Sequence, residues 1–242
     1  MFPSQVEARN AMNIALIGYG KMGRAIGALA AEKGHTVVCT VDNESEWAAA
    51  EGHWPEVDVA IEFTTPATAT ANVRRCLAAG LPVVCGTTGW YADYDSVADD
   101  CRKRGGRLLT ATNFSIGMNI MFALNERLAQ LMRGRSDYKT SISETHHIHK
   151  LDAPSGTAIT LQEQIVASGR RPAESIPIAS FREGEVPGTH TVRYDSAIDT
   201  LTLTHEAHSR QGLAQGALLA AEWLVKAGAG VYTMKDMLFE RS

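Results

Sequence analysis

Residues 144–158, Glu-Thr-His-His-Ile-His-Lys-Leu-Asp-Ala-Pro-Ser-Gly-Thr-Ala, gather three imidazoles, one ammonium and the start of a helix in a single stretch. Histidine titrates nearest neutrality, so His146, His147 and His149 are candidates for giving or taking a proton. Lys150 follows at once, either as a cation for an anionic substrate or as a second proton source. The Asp152–Pro154 segment forces a turn, because a residue before proline is pushed out of the helical region. Ser155 then reads as an N-cap, with apolar residues at helical spacing after it and Gly169 as the C-terminal glycine. The amides of Gly156 and Thr157 would point out of that helix start, where a carboxylate binds well. An anion site beside a proton donor is the chemistry this stretch suggests.

The histidines are also potential zinc ligands. No separate cluster of Cys, His or Glu stands out in the sequence to complete such a site, and Lys150 would set a positive charge beside the ion. No metal is therefore expected, and His149 reads as structural. A second chemical motif lies near the start, Gly18-Tyr19-Gly20-Lys21-Met22-Gly23. It follows an apolar strand at residues 13–17, opens a helix that ends near Gly34, and precedes a second strand closed by Asp42. G-x-G-x-x-G in that setting is the dinucleotide fingerprint: the glycines let the backbone approach a pyrophosphate on the helix N-terminus. Asp42 sits where an acid bonds a ribose 2′-hydroxyl, which favours NADH. Lys21 and Arg24 could still attract a 2′-phosphate, so NADPH is expected to serve less well.

The elements that must hold these motifs alternate strand and helix through residue 112. Strands are read at 57–63, 82–86 and 107–112, with helices starting at Pro66 and near Asp93. This order predicts a doubly wound parallel sheet with ligand at the carboxyl ends of its strands, where Gly86-Thr87-Thr88 and Ala111-Thr112-Asn113-Phe114 fall. After Ser115 the pattern changes. A long helix with a methionine-rich core face spans 118–132, strands follow at 138–147, 189–194 and 200–206, and 181–188 reads as a charged loop. Strands in succession predict a second, smaller α+β domain with a mixed sheet. A final helix covers 213–227. The expected division is 13–113 plus 212–242 for the dinucleotide domain and 114–211 for the substrate-binding and oligomerisation domain. Residues 1–12 read as a disordered leader.

The motif Glu-x-His-His-x-His-Lys-x-Asp-Ala-Pro-Ser-Gly-Thr-Ala resembles the signature of the 4-hydroxy-tetrahydrodipicolinate reductases (dihydrodipicolinate reductases) of the diaminopimelate route to lysine. Gly-Thr-Thr-Gly, Asn-Phe-Ser-x-Gly and Arg-x-Gly-x-Val-Pro-Gly-x-His resemble the same family, and the likeness extends over about residues 13–240. It implies His146 as general acid, Lys150 as proton donor or substrate anchor, and His147 as a substrate contact. It also implies residues 86–88 and 111–114 as walls of the nicotinamide site, a reduced nicotinamide as hydride donor, a cyclic imine dicarboxylate as substrate, and a homotetramer.

Composition narrows the rest. The net charge of −4 and the absence of a basic run give no hint of nucleic-acid binding. No apolar stretch approaches the roughly 20 residues of a membrane span, and the N-terminus lacks a signal peptide's apolar segment. Cys39, Cys76, Cys85 and Cys101 show no C-x-x-C spacing and read as reduced, packed thiols, Cys39 and Cys85 in buried strands, which points to the cytoplasm. Two rivals remain: a non-enzymatic dinucleotide sensor, for which the His-Lys cluster would be dispensable, and another reductase of this architecture acting on a semialdehyde or keto acid. A semialdehyde enzyme with an acyl intermediate needs a nucleophilic cysteine, and none of the four lies at the motif.

Overall fold

A computed structural model describes residues 11–169 and 172–239. The leader reading for residues 1–10 falls outside them. Met12 departs from it: the side chain is buried and its amide donates to His35 Nδ1 (3.1 Å), while its carbonyl accepts from Thr36. The described chain divides into two compact units, 11–111 with 214–239, and 112–213.

In the first unit, β1 (Asn13–Ile17), β2 (Thr36–Val41), β3 (Val59–Glu62), β4 (Val83–Cys85), β5 (Arg107–Thr110) and β10 (Gly230–Tyr232) form one sheet. Its order is β10-β5-β4-β3-β1-β2, with every pairing parallel. Helices α1 (Lys21–Glu32), α2 (Glu44–Ala50), α3 (Pro66–Ala78), α4 (Tyr94–Lys103), α7 (Gln211–Leu224) and α8 (Met234–Phe239) complete it. The central strands are buried except at Asn13, which starts β1, as parallel strands covered by helices on both faces must be. β2 differs. It is an edge strand and only half-buried, so Cys39 is not the interior thiol its apolar run suggested. All four tryptophans belong to this unit, Trp47 and Trp90 in its core.

The chain order reverses at β1, which pairs with β2 on one side and β3 on the other. Loops leaving β1 and β3 therefore diverge and open a crevice at the strands' carboxyl ends, the site for ligand in such sheets.

The second unit carries α5 (Ile116–Leu131), β6 (Lys139–His146), α6 (Gly156–Ala167), β7 (Ile178–Arg182), β8 (Gly188–Asp195) and β9 (Thr200–Ala207). The sheet order is β7-β6-β8-β9, antiparallel except for the parallel β6–β7 pair. Met118, Met121 and Phe122 pack with Leu161, Ile165, Val192 and Tyr194, so the methionine face is core. The charged loop is shorter than the sequence suggested, because Phe181 and Arg182 end β7 and Gly188 starts β8.

Candidate functional site

Each unit carries one cluster of the motif residues. In the first, Gly18 has φ +93° and its Cα lies against the Phe63 carbonyl, so a Cβ there would sit 2.1 Å from that oxygen. A Cβ on Gly23 would meet the Gly18 carbonyl just as closely. The two glycines let β1 turn sharply into α1. Gly20 faces open space and forms the N-cap of α1 with no side chain capping it. The first-turn amides are thus presented to the crevice, as a pyrophosphate requires.

Two clefts that share Gly20, Phe63 and Thr64 line this end of the sheet. One, of about 350 Å³, is bounded by Gly18, Gly20, Asp42, Trp47, Phe63 and Thr64; the other, of about 370 Å³, by Gly20, Lys21, Met22, Gly86, Thr87 and Thr88. Asp42 is already half engaged: one carboxylate oxygen accepts from the Tyr19 amide (2.6 Å), bracing the glycine loop. Arg24 is tied back to the same loop, donating to the Tyr19 carbonyl (3.1 Å). Thr87 is buried and its hydroxyl accepts from the Thr64 amide (2.7 Å), so its side chain joins two loops. Gly86 lies under the Phe63 ring, 2.1 Å from where a Cβ would stand. These residues fit a dinucleotide in shape and in donors.

In the second unit the site is built on Glu144. Strand alternation turns Glu144 and His146 to the same face of β6, and both are buried. One oxygen of Glu144 accepts from the Ser155 amide (3.0 Å) and from the Ser180 hydroxyl (2.8 Å). The other lies 3.6 Å from His146 Nδ1 and 3.6 Å from Nε2 of His190, its cross-strand partner. Burial would raise the Glu144 pKa, but the bonds from Ser155 and Ser180 outweigh it and hold the group ionised below its ordinary value. Burial depresses His146, with the Glu144 charge opposing. Burial also pushes His190 down to about 4.

The same carboxylate pins the start of α6. Ser155 gives its amide to Glu144, and its hydroxyl accepts from Ala158 as the N-cap (3.2 Å). That leaves the first two amides of the helix, of Gly156 and Thr157, facing outward. Thr157 is held from the side by the Asn113 amide group (3.3 Å). Lys150 Nζ is clamped by both oxygens of Asp152 (2.7 and 2.9 Å), and Arg182 donates to the carbonyls of Lys150 and Asp152 (3.1 and 2.6 Å). His147 Nε2 accepts from Arg210 (2.7 Å); burial first, then the Arg210 charge, lowers its pKa. His149 is exposed, facing Glu185 at 3.4 Å.

The motif residues are thus brought together, with His146, His147, Lys150, Gly156 and Thr157 around one loop and helix start. Of the wall residues, Phe114 is buried, and Asn113 bonds Ser115 and Thr157 within its own unit. Sequence reasoning assigned no role to Glu144, Arg182, His190 or Arg210. Glu144 stood in the motif, while Arg182 and His190 stood in Arg-x-Gly-x-Val-Pro-Gly-x-His. That recurrence was the available signal; the sheet register that joins them was not. Glu144 and His190 also stand beside His146, a grouping of possible metal ligands that the sequence did not display.

Comparison with known proteins agrees with both halves. Residues 12–114 match the family model described as dihydrodipicolinate reductase, N-terminus, and residues 117–238 the one described as dihydrodipicolinate reductase, C-terminus. The chain is 45% identical over 236 residues to a 4-hydroxy-tetrahydrodipicolinate reductase of Christiangramia forsetii, covering 94% of this chain and 98% of that one. It is 34% identical over 234 residues to one from Alkaliphilus metalliredigens, covering 90% and 95%. A dipicolinate-bound dihydrodipicolinate reductase from Paenisporosarcina sp. shares the fold, with TM-score 0.78 at 22% identity over 94% of this chain and 100% of that one. With both halves matched in order and relatives spanned nearly end to end, the chain belongs to the dihydrodipicolinate reductase family.

Proposed function

We propose that this chain reduces the cyclic imine 4-hydroxy-tetrahydrodipicolinate to tetrahydrodipicolinate and water, in the diaminopimelate route to lysine, with NADH preferred over NADPH. The observation that carries the reading is that one buried carboxylate, Glu144, pins a helix N-terminus through the Ser155 amide and faces the His146 imidazole at 3.6 Å. A reduced nicotinamide, when bound, supplies the hydride. Gly18, Gly20 and Gly23 shape the loop for its pyrophosphate, and Asp42 keeps one oxygen for a ribose hydroxyl. Glu44 and Glu46 flank that position, which disfavours a 2′-phosphate.

The substrate's two carboxylates need cationic or amide donors. The Gly156 and Thr157 amides offer one seat, and Lys150 and Arg210 supply positive charge. Lys150 must give up part of its clamp on Asp152 to reach a ligand, so its contact with substrate competes with an internal pair. Loss of the 4-hydroxyl as water makes the imine conjugated, and hydride addition to it then leaves an electron-rich enamine that must gain a proton. His146 gives it in this reading, which the geometry supports: Nδ1 faces Glu144, leaving Nε2 for the substrate. Burial lowers the ring's proton affinity in the free protein, and an arriving dianion raises it.

The test mixes purified protein with the condensation product of pyruvate and aspartate semialdehyde and follows nicotinamide absorbance. Oxidation should require the imine; no turnover with either nicotinamide ends the reading. A non-enzymatic sensor would bind nucleotide and show none. Homotetrameric assembly and a cytoplasmic location accompany this reading as proposals, the former checked by sedimentation. Among the described residues no helix is long and apolar enough to cross a membrane.

A further inference from the structure

Glu144, His146 and His190 are side by side on one face of the second sheet: two are i, i+2 neighbours on β6, and His190 is the cross-strand partner of Glu144 on β8. All three are buried, and their ligand-type atoms lie within 4.8 Å of one another. Glu144 Oε2 is 3.6 Å from a nitrogen of each histidine. A tetrahedral zinc ion with bonds of about 2.0–2.2 Å sets its ligand atoms roughly 3.4 Å apart, so small side-chain rotations suffice to close the site. Glu144 Oε2 and His146 Nδ1 have no hydrogen-bond partner, while Glu144 Oε1 is anchored by Ser155 and Ser180. His190 Nε2, besides facing Glu144, makes a long contact with the Ser155 hydroxyl (3.3 Å).

The nearby cations do not forbid an ion. Lys150 is neutralised by its two-oxygen clamp on Asp152, and Arg182 approaches Glu144 at the anchored oxygen (3.9 Å) while donating to three carbonyls. We propose that Glu144, His146 and His190 form a three-ligand site for Zn²⁺ or a similar divalent transition ion, and that filling it stops proton donation by His146. Three protein ligands and one open position suit such an ion, and both histidines lie on strands, which hold them rigidly. An ion on Nδ1 occupies the lone pair that must carry a proton for the ring to be an imidazolium. The remaining Nε2–H then belongs to a neutral, metal-bound ring, which is a poor acid. The ion is an inhibitor of the chemistry, not a participant in it.

The effect on turnover rests on the proposed function, whereas binding does not. Full-length protein, freed of metal by a chelator and exchanged into buffer, is titrated with Co²⁺, followed by visible absorption. One equivalent should give the intense ligand-field bands of a four-coordinate site. His190→Gln should weaken that binding by at least about 100-fold, since removing even an outer-shell partner costs 10–100-fold. The zinc-loaded wild type, examined by X-ray absorption, should show two imidazoles and oxygen at about 2.0–2.2 Å, which needs no variant to fold. Zn²⁺ should abolish imine reduction over the range in which it displaces Co²⁺. The absence of four-coordinate bands, bands unchanged in a folded His190→Gln, or a zinc environment with fewer than two imidazoles overturns the site. A filled site with undiminished turnover overturns the claim that occupation silences His146. A protein with no reductase activity at all fails the proposed function, while the spectra still decide the site.

Discussion

Replacing Glu144 by Gln separates the charge of the buried carboxylate from its shape. Two bonds end on its anchored oxygen, from the Ser155 amide at 3.0 Å and the Ser180 hydroxyl at 2.8 Å. Bonds to a charged group are worth roughly 1.5–3 kcal/mol each and neutral ones about 0.5–1.5, so loss of charge removes about 1 kcal/mol per bond, or about 2 kcal/mol together. The new amide group points at His146 and His190, whose facing nitrogens can accept from it, so that side adds little cost. Glu144→Ala removes both acceptors and leaves a cavity beneath the sheet. Two unsatisfied donors at about 1–3 kcal/mol each put that loss near 4 kcal/mol before any cavity cost. Urea unfolding followed by far-ultraviolet circular dichroism, with unchanged slope, measures both. The α6 start should loosen as well, raising KM for the imine in Glu144→Gln. If Gln were as stable as the wild type, or as costly as Ala, the carboxylate would not be the charged anchor described.

His146→Gln should lower kcat by roughly 10²–10⁴-fold with little change in KM, since proton donation matters mainly in the transition state, and steady-state kinetics decides it. Near-normal kcat would move the role to His147 or Lys150. Lys150→Ala should raise KM and lower kcat together, and Lys150→Arg should not rescue it, because a planar fork cannot replace a compact ammonium. Asp42→Ala removes both a ribose partner and the brace on Tyr19, so KM should rise for NADH and NADPH alike, more for NADH; a rise confined to NADPH would contradict this. Gly86→Ala forces a Cβ to within 2.1 Å of the Phe63 ring. It should cost about 1–3 kcal/mol in thermal or urea unfolding and weaken nucleotide binding in calorimetry.

How much of this was legible depended on how local the signal was. The parallel sheet was readable because its strands are continuous apolar runs punctuated by glycine. β10 and β7 escaped because neither is a continuous apolar run, and β7 is recruited by pairing with β6 more than by its own alternation. α2 was missed despite an N-cap signal: Asn43 caps the Glu46 amide and Glu46 reaches back to the Asp42 amide. The motif's own order placed His146, Lys150 and the α6 start correctly on strand, loop and helix. What it could not show was that Glu144 joins them, because that follows from register. Glu144 opposes His190 and lies beside Ser180 only once three strands are aligned. The clamp of Asp152 on Lys150 was local, yet two residues' spacing in a turn does not say that they fold together.

The four tryptophans, Trp47, Trp54, Trp90 and Trp223, all belong to the first unit, and the second has none. Trp47 lines the crevice beside Asp42. The chain is therefore optically partitioned. Indole emission overlaps the absorption of a reduced nicotinamide, so energy transfer from these residues reads cofactor binding without a label. Denaturation followed by the same emission sees one unit alone, and a single tryptophan introduced at exposed Phe181 would give the silent unit a voice of its own.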